Sequence, residues 1–156
     1  ARLLPDASRI VVTHIGAALT PSMNTRANRE ELINSRYTWR GSLTRHLTLK
    51  AIARSRVLVV SSKMEGGANV ISEAIVAGTP VLSTHISGSL GMLGKDYPGY
   101  FPIGDTAALA ALLWQAETNT IFYKQLHAHC RKRAKMFHPD KERHALKQLL
   151  AGLGLA

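Results

Sequence analysis

Short apolar, β-rich runs alternate with helical patterns along the chain. Runs at residues 10–15, 37–39, 57–60 and 81–83, with a weaker one at 100–103, predict strands. Between them, helical periodicity covers about residues 22–34, 43–54, 69–77 and 106–117. This alternation predicts βαβ units, and so an α/β fold of Rossmann-like type: a parallel sheet with helices on both faces. Val57-Leu58-Val59-Val60 is apolar at every position, which predicts a central strand covered on both sides. In the helix that follows, Val70, Ile71, Ala74, Ile75 and Ala77 fall on one side and would face the sheet.

Punctuation supports these elements. Gly78 stands where a helix C-cap glycine belongs, and Pro80 opens the next strand. Asp105, after Gly104, is placed as the N-cap of an Ala/Leu-rich helix. After residue 119 the pattern is helical only, with a break at His138-Pro139. The opening residues Ala1-Arg2-Leu3-Leu4-Pro5 read as the tail of a helix. A chain of this class normally opens with a strand, so a fragment lacking its first strand is expected. Doubly wound sheets commonly run in the order 3-2-1-4-5-6, which would put that strand at the centre. Two outcomes follow: residues 10–15 pair directly with 57–60, or a segment of another chain fills the gap.

The candidate chemistry lies after the third predicted strand. Ser61-Ser62-Lys63-Met64-Glu65-Gly66-Gly67-Ala68-Asn69-Val70-Ile71-Ser72-Glu73-Ala74 reads as strand end, glycine loop and helix start. One carboxylate is in the loop and one in the helix's first turns. Ligands of open parallel sheets sit at the carboxyl ends of strands, where backbone N–H groups and the helix dipole attract phosphate. A carboxylate does not bind phosphate, but it accepts two hydrogen bonds from a vicinal diol. Phosphate and diol together describe a nucleotide sugar. Asn69 and Glu73, four apart, share one helix edge, and Gly66-Gly67 lets a ligand approach the backbone closely. The plainer alternative is a solvated loop acid and a solvated helix acid.

Composition sharpens this only in part. A length of 156 residues and 46% hydrophobic residues suit one globular domain. Cys130 is the single cysteine, which excludes an intrachain disulfide; a buried thiol and a cytoplasmic protein are expected. The net charge is +10, yet residues 57–120 hold two Lys/Arg against five acids, so the basic excess lies elsewhere. That excess fits solvated surface or an anionic membrane surface with the protein peripheral to it. Specific nucleic-acid binding is not expected, because no basic–aromatic interleaving is present. His127 and His129 point about 200° apart on a helix, so with Cys130 they make no metal site, and no metal or cofactor is expected. Arg131, Lys132, Arg133 and Lys135 read as a solvated face near a helix end. The stretch 88–94 reads either as a mobile loop over a ligand, with Gly88 against it, or as a flexible connection.

Glu65 to Ala74, followed by Ala77-Gly78-Thr79-Pro80-Val81, resembles the Glu-x7-Glu signature of retaining family 4 glycosyltransferases. Gly104 to Leu109 is similar to a Gly-Asp-x-x-Ala-Leu run of the same family. The resemblance covers about residues 9–150 and implies the C-terminal, donor-binding lobe of a GT-B fold. On it the whole chain, 1–156, is one nucleotide-sugar-binding domain ending in helices over 119–151, without its N-terminal acceptor lobe. It implies Glu73 on the ribose hydroxyls, and Glu65 on the donor sugar as the catalytic residue. It also implies that Gly66, Gly67, Ala68, Asn69 and Val70 line sugar and phosphate, and that Trp39-Arg40-Gly41 packs the base. The implied partners are a UDP-sugar, an acceptor and the N-terminal lobe. The family's diphosphate-binding Arg and Lys have no counterpart before Ile10; Lys63 is placed to help, or is simply a solvated loop lysine.

A narrower resemblance rests on Met64 to Val70, Gly91-Met92-Leu93-Gly94 and Tyr97-Pro98-Gly99-Tyr100-Phe101-Pro102. These look like a selenoneine-biosynthesis branch, whose members are taken to join a UDP-sugar to selenophosphate. Two rivals stand beside transfer: a GT-B epimerase or phosphorylase, and a non-catalytic basic module for membranes or polyanions.

Overall fold

The structure is a computed structural model that describes residues 1–137 and, beyond them, Gln148. The His138-Pro139 break and the later part of the expected C-terminal helical stretch, from residue 138 on apart from Gln148, lie outside the described residues. Five strands alternate with helices: β1 Val12–His14, β2 Tyr37–Trp39, β3 Leu58–Val60, β4 Val81–Thr84 and β5 Tyr100–Phe101. The helices are α1 Pro21–Ile33, α2 Arg45–Arg54, α3 Asn69–Ala77, α4 Ser87–Leu93, α5 Thr106–Thr118 and α6 Thr120–Ala134, followed by a 3-10 turn, Lys135–Phe137. All strand pairings are parallel.

The strands form two sheets, β1-β2 and β3-β4-β5. Direct pairing of residues 10–15 with 57–60 does not occur. Nor is β3 a strand covered on both faces: Val59 is 37% exposed. The all-apolar run marks a strand with a free edge, and the covered strand is β4, where Val81, Leu82, Ser83 and Thr84 are all buried. Parallel ladders alternate, each residue directing both backbone groups to one side. Val12 N–H donates to Arg36 O and Leu58 N–H to Pro80 O. Thr13 and Val59 therefore direct theirs to the unpaired edges of β1 and β3.

The core gathers on β4. Ile71, Ala74 and Ile75 of α3 pack there with Leu93, Tyr97, Phe101, Leu113 and Leu126. Val70 is only partly buried and Ala77 is exposed, so the sheet-facing side of α3 is narrower than its apolar pattern. Gly78 ends α3 in the left-handed region at φ 79°, and Asp105 caps α5 by accepting from Ala108 N–H. Residues 1–9 form turns rather than a helix tail. They are held from outside: Arg36 donates to the carbonyls of Leu4, Pro5 and Ser8, and Glu117 accepts from Ser8 Oγ and Arg9 N–H. Among the described residues no helix is long and apolar enough to cross a membrane.

The stretch 88–94 is not a loop. It belongs to α4, in which Gly88, Ser89 and Leu93 are buried. Two glycines in this seven-residue helix, with Gly94 just after it, argue against a helix by propensity, and tertiary contacts supply what propensity lacks. Arg133 donates to the carbonyls of Met92 and Gly91, and His129 bonds that of Leu93. A cation at a helix C-terminus satisfies orphan carbonyls and opposes the dipole. Arg133 is thus a capping residue, not part of a solvated face.

Candidate functional site

The edge where β3 and β4 end collects the predicted site. Residues 61–68 leave β3 and lead into α3; residues 85–86 leave β4 and lead into α4. Four of the six helices start with a side-chain cap, from Thr20, Thr44, Asp105 and Asn119. The two that do not are α3, with Ala68 at its N-cap, and α4, with Ile86 at its N-cap. Their first-turn N–H groups are not taken by a capping side chain, and each helix turns a positive dipole end to this edge.

Contacts lock the two starts together. A Cβ on Gly88 would stand 2.3 Å from the carbonyl oxygen of Glu65 and 3.2 Å from Gly67 N. Only a residue without a side chain lets α4 pass beneath the loop. Gly88 thus supports the loop from within a helix, not from a mobile loop.

Both carboxylates lie here, each held by one neighbour. Glu65 is half-buried, and its Oε1 accepts from Ser62 Oγ at 2.8 Å. Glu73 lies one turn into α3 with its side chain 22% exposed, and its Oε1 accepts from Arg45 Nε at 3.2 Å. Arg45, at the start of α2, is 81% exposed, so this bridge is a weak one. Gly66, Gly67 and Asn69 are exposed along the same stretch, Val70 is half-buried, and Ala68 is buried at the helix start. Lys63 is exposed and, among the described residues, makes no ion pair with either carboxylate.

Arg40 and Gly41 lie at the carboxyl end of β2, where Gly41 takes φ 59°. Gly16 N–H donates to Gly41 O, and Trp39 Nε1 donates to Gly16 O, tying the ends of β1 and β2. Among the described residues, neither Arg40 nor Gly41 bonds to the loop 61–69. Sequence reasoning missed Arg45, which a simple i-to-i+4 search along α3 does not reach, and the supporting role of Ser62 and of Thr84, whose Oγ1 donates to Ser62 O at 2.6 Å.

Two depressions lie away from this edge. One of about 350 Å³ is lined by Arg2, Arg26, Arg29 and Glu30, the other of about 510 Å³ by Asp96, Pro98, Gln125, Ala128, His129 and Lys132. Neither contains the carboxylates or the uncapped helix starts; the candidate site is an open edge. The Tyr97–Phe101 stretch is structural. Tyr97 hydroxyl bonds both backbone groups of Val81, and burial pushes its pKa up. Tyr100, pushed up to about 12 by burial, donates to Ser89 O and Gly94 O. Cys130 is buried beside Tyr97, and that burial raises its thiol pKa.

Residues 11–137 match the family described as glycosyl transferases group 1. Among curated proteins none matches. Solved structures agree in fold. HepE from Anabaena, in complex with UDP and glucose, superposes with a TM-score of 0.79 at 17% identity, over 96% of this chain and 42% of that one. Sucrose-phosphate synthase from Thermosynechococcus elongatus gives 0.76 at 20% identity, over 90% and 38%. The pneumococcal O-GlcNAc transferase GtfA, in complex with UDP and GlcNAc, gives 0.73 at 14% identity, over 91% and 29%. The chain therefore spans less than half the length of each of these proteins, and the shared part has the Rossmann-like architecture of a GT-B lobe.

Proposed function

The chain belongs to the glycosyl transferases group 1 family, and from that premise we propose that it binds the donor of a retaining glycosyltransferase that moves a sugar from a UDP-sugar to an acceptor. One observation carries the reading: two helix starts without side-chain caps meet at a loop bearing Glu65, with Glu73 one turn beyond. The amides at 66–69 face the diphosphate and take charge that grows on it as the glycosidic bond breaks. Fixed N–H dipoles do this without reorganising at the moment of reaction. Glu73 accepts both ribose hydroxyls once Arg45 yields, and Glu65 orients the sugar. The acceptor is supplied from a facing lobe, which closes the open edge and excludes water. Within this reading the resemblance at Met64 to Val70 supports selenophosphate as the acceptor.

A thermal-shift panel of UDP, GDP, ADP and UDP-sugars tests the reading. Ligand binding to the native state raises its stability by about 2.7 kcal/mol at a hundred times Kd. UDP and UDP-sugars are expected to raise Tm; no shift with any nucleoside diphosphate at millimolar concentration overturns it. Turnover of the donor with no acceptor present would favour an epimerase, and binding to anionic vesicles without any nucleotide response would favour a surface-binding module.

A further inference from the structure

We propose that Ser62 is the positioning residue that sets the donor-sugar carboxylate of Glu65, and that Thr84 and Gly88 fix Ser62 and its loop from beneath. This deepens the donor-site reading and rests on it.

Residues 62–67 take part in no backbone–backbone hydrogen bond to one another or to the rest of the described chain. A segment without its own ladder keeps a shape only through side chains and packing. Three contacts supply it here. Thr84, buried in the central strand, donates from Oγ1 to Ser62 O at 2.6 Å. Ser62 in turn donates from Oγ to Glu65 Oε1 at 2.8 Å. At Gly88 there is no room for a Cβ beneath Glu65 O and Gly67 N, so the loop rests on the first turn of α4. That turn is itself pinned, because buried Ser89 and Ser83 share a 2.8 Å hydrogen bond. The chain of contacts runs from the core strand to one oxygen of one carboxylate.

Its chemistry is directional. The serine hydroxyl engages Oε1, and among the described residues Oε2 has no hydrogen-bond partner. One oxygen is held and the other is left to a sugar hydroxyl. A carboxylate without the held oxygen samples other rotamers, and a ligand must then order it on binding. The consequence is confined to the sugar: Glu73 and the helix-start amides serve the nucleotide, and Ser62 touches neither in the hydrogen-bond pattern. A serine that merely closed a turn would shift nucleotide and nucleotide-sugar binding together.

Calorimetric titration of the 156-residue chain with UDP, UDP-glucose and UDP-N-acetylglucosamine separates these roles. In Ser62→Ala, UDP affinity is expected to stay within about twofold of wild type. The preference for the better UDP-sugar over UDP is expected to fall about tenfold. Ser62→Thr, which keeps the hydroxyl, should restore it. If Ser62→Ala loses its native melting transition, Ser62→Cys, a weaker donor of similar size, carries the same expectation. An unchanged preference, a parallel loss for UDP and UDP-sugar, or a wild type without any preference overturns the role of Ser62 while the nucleotide site stands. A wild type that binds none of the three overturns the donor reading itself.

Discussion

Glu73→Gln is expected to weaken UDP binding by ~1.5–3 kcal/mol, the value of a hydrogen bond to a charged acceptor. Glu65→Gln should leave bare UDP nearly unchanged, because its proposed partner is the sugar. Titration with UDP alone checks both; equal affinity of wild type and Glu73→Gln removes the ribose role. The two carboxylates were legible as a pair because their spacing straddles a glycine loop and a helix start. Their holders were not. Arg45 lies 28 positions before Glu73, and Thr84 lies 22 positions after Ser62. No local pattern marks which hydroxyl or guanidinium a chain fold will carry to a given carboxylate.

At the scale of elements, α4 is the instructive error. Its glycines read as a loop, and helix formation there rests on His129 and Arg133, arriving from α6 to satisfy its last carbonyls. Arg133→Ala is expected to cost about 1–2 kcal/mol, the upper range for a cation at a partly buried helix end. Chemical denaturation checks this; a loss below half that value would make the contact incidental. The free edges of β1 and β3 give a second expectation. Amides of Thr13 and Val59 should exchange with solvent at least about tenfold faster than those of Val12 and Leu58, whose N–H groups are paired. Hydrogen exchange read by NMR resolves the four, and equal protection would mean the edges are paired in solution. Strand positions were legible within two or three residues because apolar β-branched runs are local. Which strand is covered was not, since burial depends on neighbours, and β4 gains them on both sides while β3 has one.

For the molecule as a whole, the amino-terminal turns are tied to the rest through acid contacts. Glu117 sits below the usual carboxylate range, first because Ser8 donates to it and next because Arg9 N–H does. Glu30 is lowered chiefly by its bond from Arg2. A depressed folded pKa means that these groups add stability above the unfolded value of about 4.3 and lose it as pH falls through the lower folded value. Glu117→Gln should therefore lower Tm at neutral pH and flatten the acid limb, with the gap from wild type closing at low pH. Tm measured from pH 7 down to about pH 2 checks the sign; a gap that widens on acidification would contradict it.

Alternating periodicity, cap residues and the glycine loop between two acids were enough to indicate an α/β lobe and to single out the loop and helix start at the ends of its strands as the candidate site. These are local signals: they depend on what each backbone segment does with its own side chains. The division into two sheets, the helical state of 87–93, the support of Glu65 by Ser62, Thr84 and Gly88, and the reach of Arg45 to Glu73 depend on segments far apart in sequence. Whether such segments meet is settled by packing around β4 and the helix that follows it, where a single added Cβ at Gly88 of α4 would collide with the loop that carries Glu65.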